Sequence, residues 1–523
     1  MRAHRRGVFV MTAPTPLDAY LRRHPNTRYV DALLCDLSAV MRGKRYPIGA
    51  AAQIFQGGVN LPGSTCMLAV TGDSLDPKGL GFSDGDPDAT GVPLPGSLAP
   101  SPWAGQPTAQ VLLTLRDAGG APYYYEPRNV LARTLARFEE QNLRPVAAFE
   151  LEFYLVDPLH LRGRRLRPPR GPLSGTRDAA TQVYSLARVE DFGEFLHAVD
   201  AACAQQGIAC GPMSAEYAPG QFEINLSHGE PLRVADQCVL FRHAVQSVAR
   251  RHNLCATFMA KPYPGRAGSG LHLHISLLND KGENVFAGGD GGGGDRDGDD
   301  SGDGNHGDGN RGRDGNHVDG KTGGDGDRDS DNSGDGDHGD GNRGRVPADH
   351  PTPAAPLLHA IGGMKSAQAE SMAVFAPNRN SRARLKPDQY VPVRVNWGFD
   401  NRSVAMRVPK CKDRMGRDLR IEHRVAGADA NPYLALAAAL AGMHHGLQNQ
   451  IDPGPPAHGD AGAQVAPGLP RDLESALDAC RRGRILRAYF GAQYIDAYCA
   501  CKLAEYRALI DGDSSVPDAA WYL

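Results

Sequence analysis

The sequence predicts an α+β protein in which a smaller β-rich N-terminal domain precedes a larger α/β domain. Two observations indicate the strands: apolar and polar residues alternate in several short segments, and clusters of Gly, Pro, Asp and Ser bound these segments. A third observation indicates the helices, since helical patterns occupy 127–142, 190–206, 234–252 and 357–376. We place the boundary between the two domains near residues 115–125.

The composition is ordinary for a soluble globular protein and excludes several classes of function. The 523 residues are 41% hydrophobic and 22% charged, and the formal net charge is −3. This balance provides no basic surface for nucleic acid or an anionic membrane. Ten scattered cysteines without a CxxC pair favour reduced thiols. No apolar run has the length of a signal peptide or a membrane helix, so we expect a cytoplasmic protein that contacts neither nucleic acid nor membrane.

The N-terminal part combines a short helix with several strands. The helix is expected between Pro14 and Pro25, and the alternation in 27–47 predicts two strands joined by a turn at Arg42–Gly43. The stretch that follows is dense in Gly, Pro, Asp and Ser and predicts loops with short strands. A further strand covers Gln110–Leu115, and Pro127 stands near the first turn of the next helix.

Two pairs of glutamates mark the predicted strands of the larger domain. In RPVAAFELEFYLV, Glu150 and Glu152 stand two positions apart and therefore project from one face. Burying two like charges together is unfavourable unless a cation is present, although a solvated face would also account for them. Glu216 and Glu223 flank a Pro219–Gly220 turn that can fold both carboxylates towards one point, or each can be a surface acid.

The stretch KPYPGRAGSGLHLHIS at 261–276 carries two histidines on one face of a predicted strand. His272 and His274 alternate with apolar residues, and a glycine-rich run precedes them. Neutral imidazole is a common metal ligand, and glycines let the backbone approach a ligand closely. The other interpretation is a strand with two polar positions in solvent, and the acidic residues elsewhere in the chain weigh against it.

Arginines are frequent in the segment 377–410 and in the strand that follows it. Strand-like apolar residues surround Arg379, Arg382, Arg384, Arg394, Arg402 and Arg407. The guanidinium group matches the oxygens of phosphates and carboxylates, whereas a solvated basic face is the alternative. Arg420, Glu422 and Arg424 alternate along the next strand and share a face. Carboxylates with one imidazole suit Mg²⁺ or Mn²⁺, so together with the arginines they predict a metal-dependent phosphoryl-transfer enzyme.

The segment 288–345 has a different composition and is predicted to be a disordered insertion. It consists almost entirely of Gly, Asp, Asn, Arg, His and Ser, and SGDGNHGDGNRGR at 301–313 returns nearly unchanged at 333–345. Residues 315–322 match the phosphate-loop pattern GxxxxGK[ST], but no predicted strand precedes them and no predicted helix follows. We therefore attribute this match to composition.

Five blocks of the sequence resemble the signature blocks of the glutamine synthetase family and occur in that family's order. They are FELEF, SAEYAPGQFEINL, KPYPGRAGSGLHLHISL, NRSVAMRVP and RIEHRVAGADANPYL. Within the family, YVPVRVNWGFDNRSVAMRVP and VAGADANPYL are most similar to γ-glutamylputrescine synthetases and related glutamate–polyamine ligases. The resemblance implies an N-terminal extension at 1–25, a β-grasp-like domain at 26–118, and a catalytic domain at 119–523 with a curved antiparallel sheet, interrupted by the insertion.

The resemblance also implies roles for individual residues. It implies two divalent ions per active site, Mg²⁺ or Mn²⁺, one held by Glu152, Glu216 and Glu223 and the other by Glu150, His272 and Glu422. The residues implied for glutamate are Gly268, Arg384 and Arg424. Those implied for ATP are His274, Ser276, Arg407 and Arg420. Arg402 and Arg407 would neutralise the transferred phosphate as catalytic residues.

The family's reaction converts glutamate and ATP to γ-glutamyl phosphate, from which an amine then displaces phosphate. Tyr390 is the third residue implied to be catalytic. It stands where ammonia-using members carry a glutamate that holds ammonium. A phenol is uncharged at neutral pH, so we expect poor ammonium capture and a ring that lines a pocket for an alkylamine.

The resemblance thus favours a ligase of glutamate with putrescine, another polyamine or a monoamine. The alternatives are an ammonia-using glutamine synthetase and a non-catalytic structural relative. Family members assemble as rings, which predicts a homo-oligomer, a dodecamer.

Overall fold

Two β-sheets and the helices packed on them make up the described part of the chain. The structure is a computed structural model and describes residues 15–160, 166–288, 352–386, 390–413, 415–461, 469–470 and 472–511. Its strands are β1 (Tyr29–Cys35), β2 (Met41–Pro47), β3 (Val59–Pro62), β4 (Asp88–Pro93), β5 (Ala99–Pro100), β6 (Thr108–Arg116), β7 (Arg144–Val156), β8 (Cys210–Ala215), β9 (Gln221–Leu226), β10 (Cys255–Thr257), β11 (Leu271–Leu278), β12 (Trp397–Phe399), β13 (Met406–Val408) and β14 (Ile421–His423). Its α-helices are α1 (Pro16–Arg23), α2 (Ala52–Gln56), α3 (Pro127–Glu139), α4 (Leu186–Asp191), α5 (Gly193–Gln205), α6 (Pro231–Arg251), α7 (Ala355–Phe375), α8 (Arg379–Arg384), α9 (Pro432–Asn449), α10 (Leu473–Arg482), α11 (Ile485–Phe490) and α12 (Ala492–Asp511).

The first sheet contains β1 to β6 in the order β2-β1-β6-β4-β3, with β5 also paired to β6. The β1–β6 pair is parallel and the other pairs are antiparallel. The turn between β1 and β2 lies at 36–40, so the prediction of a turn at Arg42–Gly43 was wrong. The Asp36 carboxylate closes this turn because it accepts hydrogen bonds from the backbone N–H groups of Ser38 and Val40 at 2.9 and 2.8 Å. Gly43 pairs with Leu33 inside the sheet.

The second sheet has the strand order β12-β13-β14-β11-β7-β9-β8, and β10 also pairs with β7. All of its pairs are antiparallel except β12 with β13. Strand β7 has the bounds predicted from the alternation of its residues. Phe149, Leu151 and Phe153 are fully buried on one face, whereas Glu150 and Glu152 on the other face are only partly buried. One face of this sheet therefore builds the core and the other presents polar groups.

The helices on the apolar side form a tightly packed core around α9. This helix contacts α3, α6 and α7, while α6 and α3 also contact β7. It begins after Asn431, whose side-chain oxygen accepts hydrogen bonds from the N–H groups of Tyr433 and Leu434. A Cβ atom at Gly446 would lie 2.0 Å from the carbonyl oxygen of His359, so α7 and α9 approach to a distance that requires glycine there.

The segment 377–410 is less strand-like than its apolar residues predicted. Arg379, Arg382 and Arg384 lie on the short helix α8, which corrects the expectation that they stand among strand residues. Asn378 caps this helix, and its backbone N–H donates to the Ser381 hydroxyl at 3.0 Å. The short strands β12 and β13 form only after Val395.

Some predictions fall largely outside the described residues. These are the first half of the extension at 1–25 and, apart from Gly288, the insertion at 288–345. The chain on either side of the undescribed stretch 289–351 is held together, because the Gly288 N–H donates to the Thr352 carbonyl oxygen at 3.2 Å. In the part of the chain that the structure describes, no helix combines the length and the apolar character needed to cross a membrane.

Candidate active site

Strand pairing in the second sheet brings the predicted site residues together. His272 on β11 is directly opposite Glu150 on β7, and Glu152 on β7 is opposite Glu223 on β9. On the other side of β11, His274 is opposite Glu422 on β14, which in turn is opposite Arg407 on β13. Directly paired residues project from the same face of a sheet. The face away from the helical core therefore carries these side chains across five adjacent strands.

These side chains line one open cavity of about 690 Å³. Twelve of the predicted site residues lie on its wall: Glu150, Glu152, Glu216, Glu223, Gly268, His272, Arg384, Tyr390, Arg402, Arg407, Glu422 and Arg424. They come from four separate regions of the sequence, namely β7, the β8–β9 hairpin, the stretch 268–272 at the start of β11, and the segment 384–424. The convergence expected from their chemistry is therefore present in the folded chain.

His272 stands at the centre of the acidic groups. Its Nδ1 atom lies 3.2 Å from a Glu150 carboxylate oxygen and 4.0 Å from one of Glu422, and its Nε2 atom lies 3.9 Å from one of Glu152. Two groups have ligand atoms within 4.8 Å of one another, Glu150 with His272 and Glu422, and Glu152 with Glu223 and His272. Each group has the composition and spacing of a divalent-cation site.

Glu216 lies at the edge of this arrangement. Its carboxylate lines the cavity and accepts a hydrogen bond from the Ser214 hydroxyl at 3.3 Å, but it belongs to neither of the two close groups. Its backbone N–H donates to the Gln221 carbonyl oxygen at 2.9 Å, which closes the hairpin between β8 and β9. Burial and the nearby charge of Glu152 raise the pKa of Glu216 to about 7.

The carboxylates titrate differently because their neighbours differ. Burial, together with the charges of Glu152 and Glu150, raises the pKa of Glu223 to about 9. Burial also acts on Glu150, but hydrogen bonds from His272 and His274 outweigh it and lower the pKa of Glu150. Burial of Glu422 is likewise outweighed, chiefly by the positive charge of Arg424, and its pKa falls to about 2. Glu223 therefore keeps its proton near neutral pH beside Glu152, and a cation bound there could take the place of that proton.

Two buried arginines, Arg384 and Arg424, and the partly buried Arg407 surround the acidic groups. Arg407 donates to a Glu422 oxygen at 2.8 Å and also pairs with Asp400, while Arg424 pairs with the other Glu422 oxygen. Arg384 donates to the Val425 carbonyl oxygen at 2.9 Å. The Nε–H groups of Arg384, Arg407 and Arg424 are buried and find no hydrogen-bond acceptor among the described residues. Unpartnered guanidinium donors on a cavity wall fit an anionic ligand.

The glycines before β11 let these groups approach one another. A Cβ atom at Gly270 would lie 2.8 Å from a terminal nitrogen of Arg384, 2.9 Å from His272 Nε2 and 3.1 Å from a Glu152 oxygen. A Cβ atom at Gly268 would lie 2.7 Å from both the Ala260 carbonyl oxygen and Arg384 Cγ. Only glycine leaves room for Arg384 beside the acidic cluster at these two positions.

The remaining predicted residues line a neighbouring cavity. His274, Ser276 and Arg420 lie on the wall of a second space of about 450 Å³, and Glu150 and Asn225 border both cavities. His274 bridges them, because its Nδ1 atom accepts a hydrogen bond from Arg420 at 3.2 Å while its Nε2 atom lies 2.9 Å from Glu150. Arg407, predicted for ATP as well, lines the first cavity only.

Sequence reasoning missed two amides that orient the glutamates. Gln221, which is almost fully buried, donates to Glu152 at 2.9 Å and to the Gly268 carbonyl oxygen at 3.1 Å. Asn225 donates to Glu150 at 2.9 Å. Both stand two positions from Glu223 on β9 and therefore share its face. The spacing of Gln221, Glu223 and Asn225 in QFEIN could have predicted that these two amides lie beside the glutamates.

Two further tyrosines of the cavity were also missed. Tyr184 and Tyr217 line the first cavity together with the predicted Tyr390. Tyr217 directly follows Glu216 in the sequence, which was the only signal for its location. Nothing in the sequence relates Tyr184 to this site.

Comparisons with known proteins relate this sequence to one family. The sequence model of the catalytic domain of glutamine synthetase matches residues 124–296 and 347–516. The gamma-glutamylputrescine synthetase of Escherichia coli K12 is 37% identical, over 94% of this chain and 91% of the relative. The glutamate–isopropylamine ligase of a Pseudomonas species is 26% identical, over 90% of this chain and 90% of the relative.

The fold comparison agrees as well. A solved structure described as apo GmaS without ligand is 24% identical to this chain and superposes with a TM-score of 0.72, over 96% of this chain and 98% of that chain. The likeness confirms the predicted α+β fold with a curved sheet of the glutamine synthetase type. Since the family's catalytic-domain model covers most of the sequence, the chain belongs to the glutamine synthetase family of ATP-dependent carbon–nitrogen ligases.

Proposed function

We propose that this chain joins glutamate to a primary alkylamine at the expense of ATP, through γ-glutamyl phosphate. The amine is putrescine, another polyamine or a monoamine. The observation that carries the proposal is the cavity in which five glutamates and a histidine face three arginines with unpartnered Nε–H groups. The named reactions of the similar ligases, on putrescine and isopropylamine, support the same class of reaction here.

The acidic residues fit two divalent ions, Mg²⁺ or Mn²⁺. Glu150, His272 and Glu422 would hold one ion, and Glu152, Glu216 and Glu223 the other, with His272 close to both sets. The raised pKa of Glu223 and the like charges around it support a cation at this position. Such ions supply charge neutralisation for phosphoryl transfer. Gln221 and Asn225 orient two of the carboxylates by hydrogen bonds.

The arginines bind and position the two anionic reactants. Arg384 and Arg424, with the backbone at Gly268, bind the carboxylates of glutamate, while His274, Ser276 and Arg420 line the space for the nucleotide. The glutamate side-chain oxygen attacks the γ-phosphorus, and the bond from that phosphorus to the β–γ bridging oxygen breaks, releasing ADP. Arg402 and Arg407 neutralise the phosphoryl group as it moves, since both reactants are negatively charged.

The second step forms the amide. The amine nitrogen attacks the γ-carbonyl carbon, a proton leaves the nitrogen, and the carbon–oxygen bond to phosphate breaks. Tyr390 lines this cavity where a glutamate would be needed to hold ammonium electrostatically. A neutral phenol gives no such attraction, so an amine that gains contacts with the ring is favoured over ammonium.

We further infer that the protein forms a homo-oligomeric ring, a dodecamer, and works in the cytoplasm.

The test is ATP-dependent phosphate release with Mg²⁺, glutamate and a panel of putrescine, n-butylamine, isopropylamine, ethanolamine and ammonium. We expect release only with glutamate present, and a kcat/KM at least about tenfold higher for an alkylamine than for ammonium. Equal or better use of ammonium would instead establish a glutamine synthetase. No release with any amine would leave the non-catalytic alternative.

A further inference from the structure

Exposed aromatic side chains are concentrated at the candidate active site. Eight large apolar side chains are well exposed among the described residues, and three of them, Tyr184, Tyr217 and Tyr390, line the first cavity. Their exposures are 60%, 42% and 60%. Exposed aromatic surface inside a binding cavity indicates a ligand with an apolar portion, since burying it on binding is favourable.

Tyr217 and Tyr390 form a pair although they come from different segments. Their ring centroids lie 5.8 Å apart with an interplanar angle of 45°, which is the separation of a packed aromatic pair. Tyr217 follows β8 in the hairpin, whereas Tyr390 lies between α8 and β12. The two rings thus make a continuous aromatic wall from opposite sides of the sheet's polar face.

The backbone holds this wall in place. The Tyr217 carbonyl oxygen accepts a hydrogen bond from the Thr181 hydroxyl at 2.9 Å, and the Tyr184 N–H donates to the Ala215 carbonyl oxygen at 2.8 Å. Tyr184 adopts a φ of +59°, which non-glycine residues rarely adopt and which clusters at functional sites. These two hydrogen bonds therefore join the segment 181–184 to the hairpin that carries Tyr217.

The aromatic wall adjoins the acidic cluster. Tyr217 is the direct neighbour of Glu216 in the chain. Tyr184 and Glu216 line the same cavity. An amine whose nitrogen reaches the glutamate γ-carbon beside the cluster must extend its carbon chain away from it. The three tyrosines line the same cavity and offer that chain an apolar surface.

We propose that Tyr217 is a specificity-determining residue, whose ring packs with that of Tyr390 against the carbon stem of the amine substrate. This inference rests on the proposed function and deepens it. The preference for alkylamines then depends on contact of the amine's carbon stem with the rings of both Tyr217 and Tyr390, rather than with Tyr390 alone. An amine without a carbon stem makes no such contact, so removing the Tyr217 ring affects alkylamines selectively.

The experiment compares Tyr217→Ala and Tyr217→Phe with the unaltered protein, using n-butylamine and hydroxylamine as amines. For Tyr217→Ala we expect the KM for n-butylamine to rise about tenfold, the effect of losing contact with about two methylene groups, with kcat nearly unchanged. The KM for hydroxylamine should change less than about twofold. Tyr217→Phe keeps the ring and should stay within about twofold of the unaltered protein for both amines.

The control is Leu159→Ala, which removes an exposed apolar side chain that lines neither cavity. It should leave both KM values unchanged. Equal losses for n-butylamine and hydroxylamine in Tyr217→Ala, or a large loss in Tyr217→Phe, would overturn the assignment of Tyr217. These results differ from failure of the proposed function, in which the unaltered protein itself releases no phosphate with any alkylamine.

Discussion

At the scale of single residues, the site is defined by carboxylates whose pKa values are displaced in opposite directions. The pKa of Glu223 rises to about 9 because it is buried beside Glu152 and Glu150, whereas the pKa of Glu422 falls to about 2 because Arg424 outweighs its burial. Strand register places Glu223 opposite Glu152, whereas Arg424 stands two residues after Glu422 in the chain. A divalent ion bound by Glu152, Glu223 and His272 must therefore displace a proton from Glu223.

Binding of Mn²⁺ should accordingly release about one proton at pH 7.5. In the metal-free protein Glu223 stays protonated below its raised pKa of about 9. The affinity for Mn²⁺ should therefore increase with pH up to about pH 9, by up to about tenfold for each pH unit. Titration calorimetry in two buffers of different ionisation enthalpy measures the release. Glu223→Gln cannot ionise and should lose it. Heats that do not depend on the buffer would contradict this prediction.

Removing one carboxylate without changing its shape should stop phosphoryl transfer. Glu152→Gln replaces a negative oxygen in the group formed with Glu223 and His272. We expect ATP-dependent phosphate release to fall more than about 100-fold, because even residues that only orient metal ligands contribute about 10- to 100-fold. Glu194→Gln, at an exposed position on α5, is the matched control and should retain full activity. Normal turnover in Glu152→Gln would refute the metal assignment.

At the scale of elements, α8 is the helix that positions Arg384, the arginine proposed to bind glutamate. It has only six residues and cannot be stable alone, so its contacts hold it. Asn378 at its start donates to the buried Asp429 carboxylate at 2.9 Å, and Ser381 donates to the same oxygen. Asn378 also accepts a hydrogen bond from the buried Lys502 on α12 at 3.2 Å. The sequence could not predict this helix, because its anchors lie about 50 and 120 residues away.

Loss of this anchor should weaken glutamate binding. Asn378→Ala leaves buried polar groups of Asp429 and Lys502 with one partner fewer, which costs about 1–3 kcal/mol of unfolding free energy. Because Arg384 ends α8, we expect the KM for glutamate to rise about tenfold or more, with a smaller change in the KM for ATP. Asn449→Ala, at the exposed end of α9, serves as the control. An unchanged KM for glutamate would show that α8 does not position Arg384.

At the scale of the whole molecule, the stretch 289–351 separates two parts of one catalytic domain. The family model matches the chain on both sides of a gap at 297–346, and Gly288 and Thr352 are joined by a hydrogen bond. The described residues on the two sides of this stretch therefore lie next to each other, so a short connection can join them.

Deleting residues 289–345 should leave activity nearly unchanged. Only 346–351 then connect Gly288 to Thr352, and shortening this connection about tenfold in length should stabilise the fold by about 2 kcal/mol, at ~0.6 kcal/mol per halving. Denaturant unfolding and the amine assay measure the two effects. A full-length variant with 289–345 shuffled controls for composition and should match the unaltered protein. Loss of folding in the deletion variant would show that the segment contributes to the core.

The sequence by itself determined the chemistry of the site and most of its elements. Alternation in 144–156 and 271–276 assigns Glu150, Glu152, His272 and His274 to single strand faces, because side chains in a strand project to alternate sides. Only the tertiary structure decided which groups meet. The strand register, the close approach at Gly270, the amides of Gln221 and Asn225 and the Tyr217–Tyr390 pair depend on contacts between distant segments. The pKa displacements follow from the same contacts, since burial and the distance between charges exist only once the chain has folded.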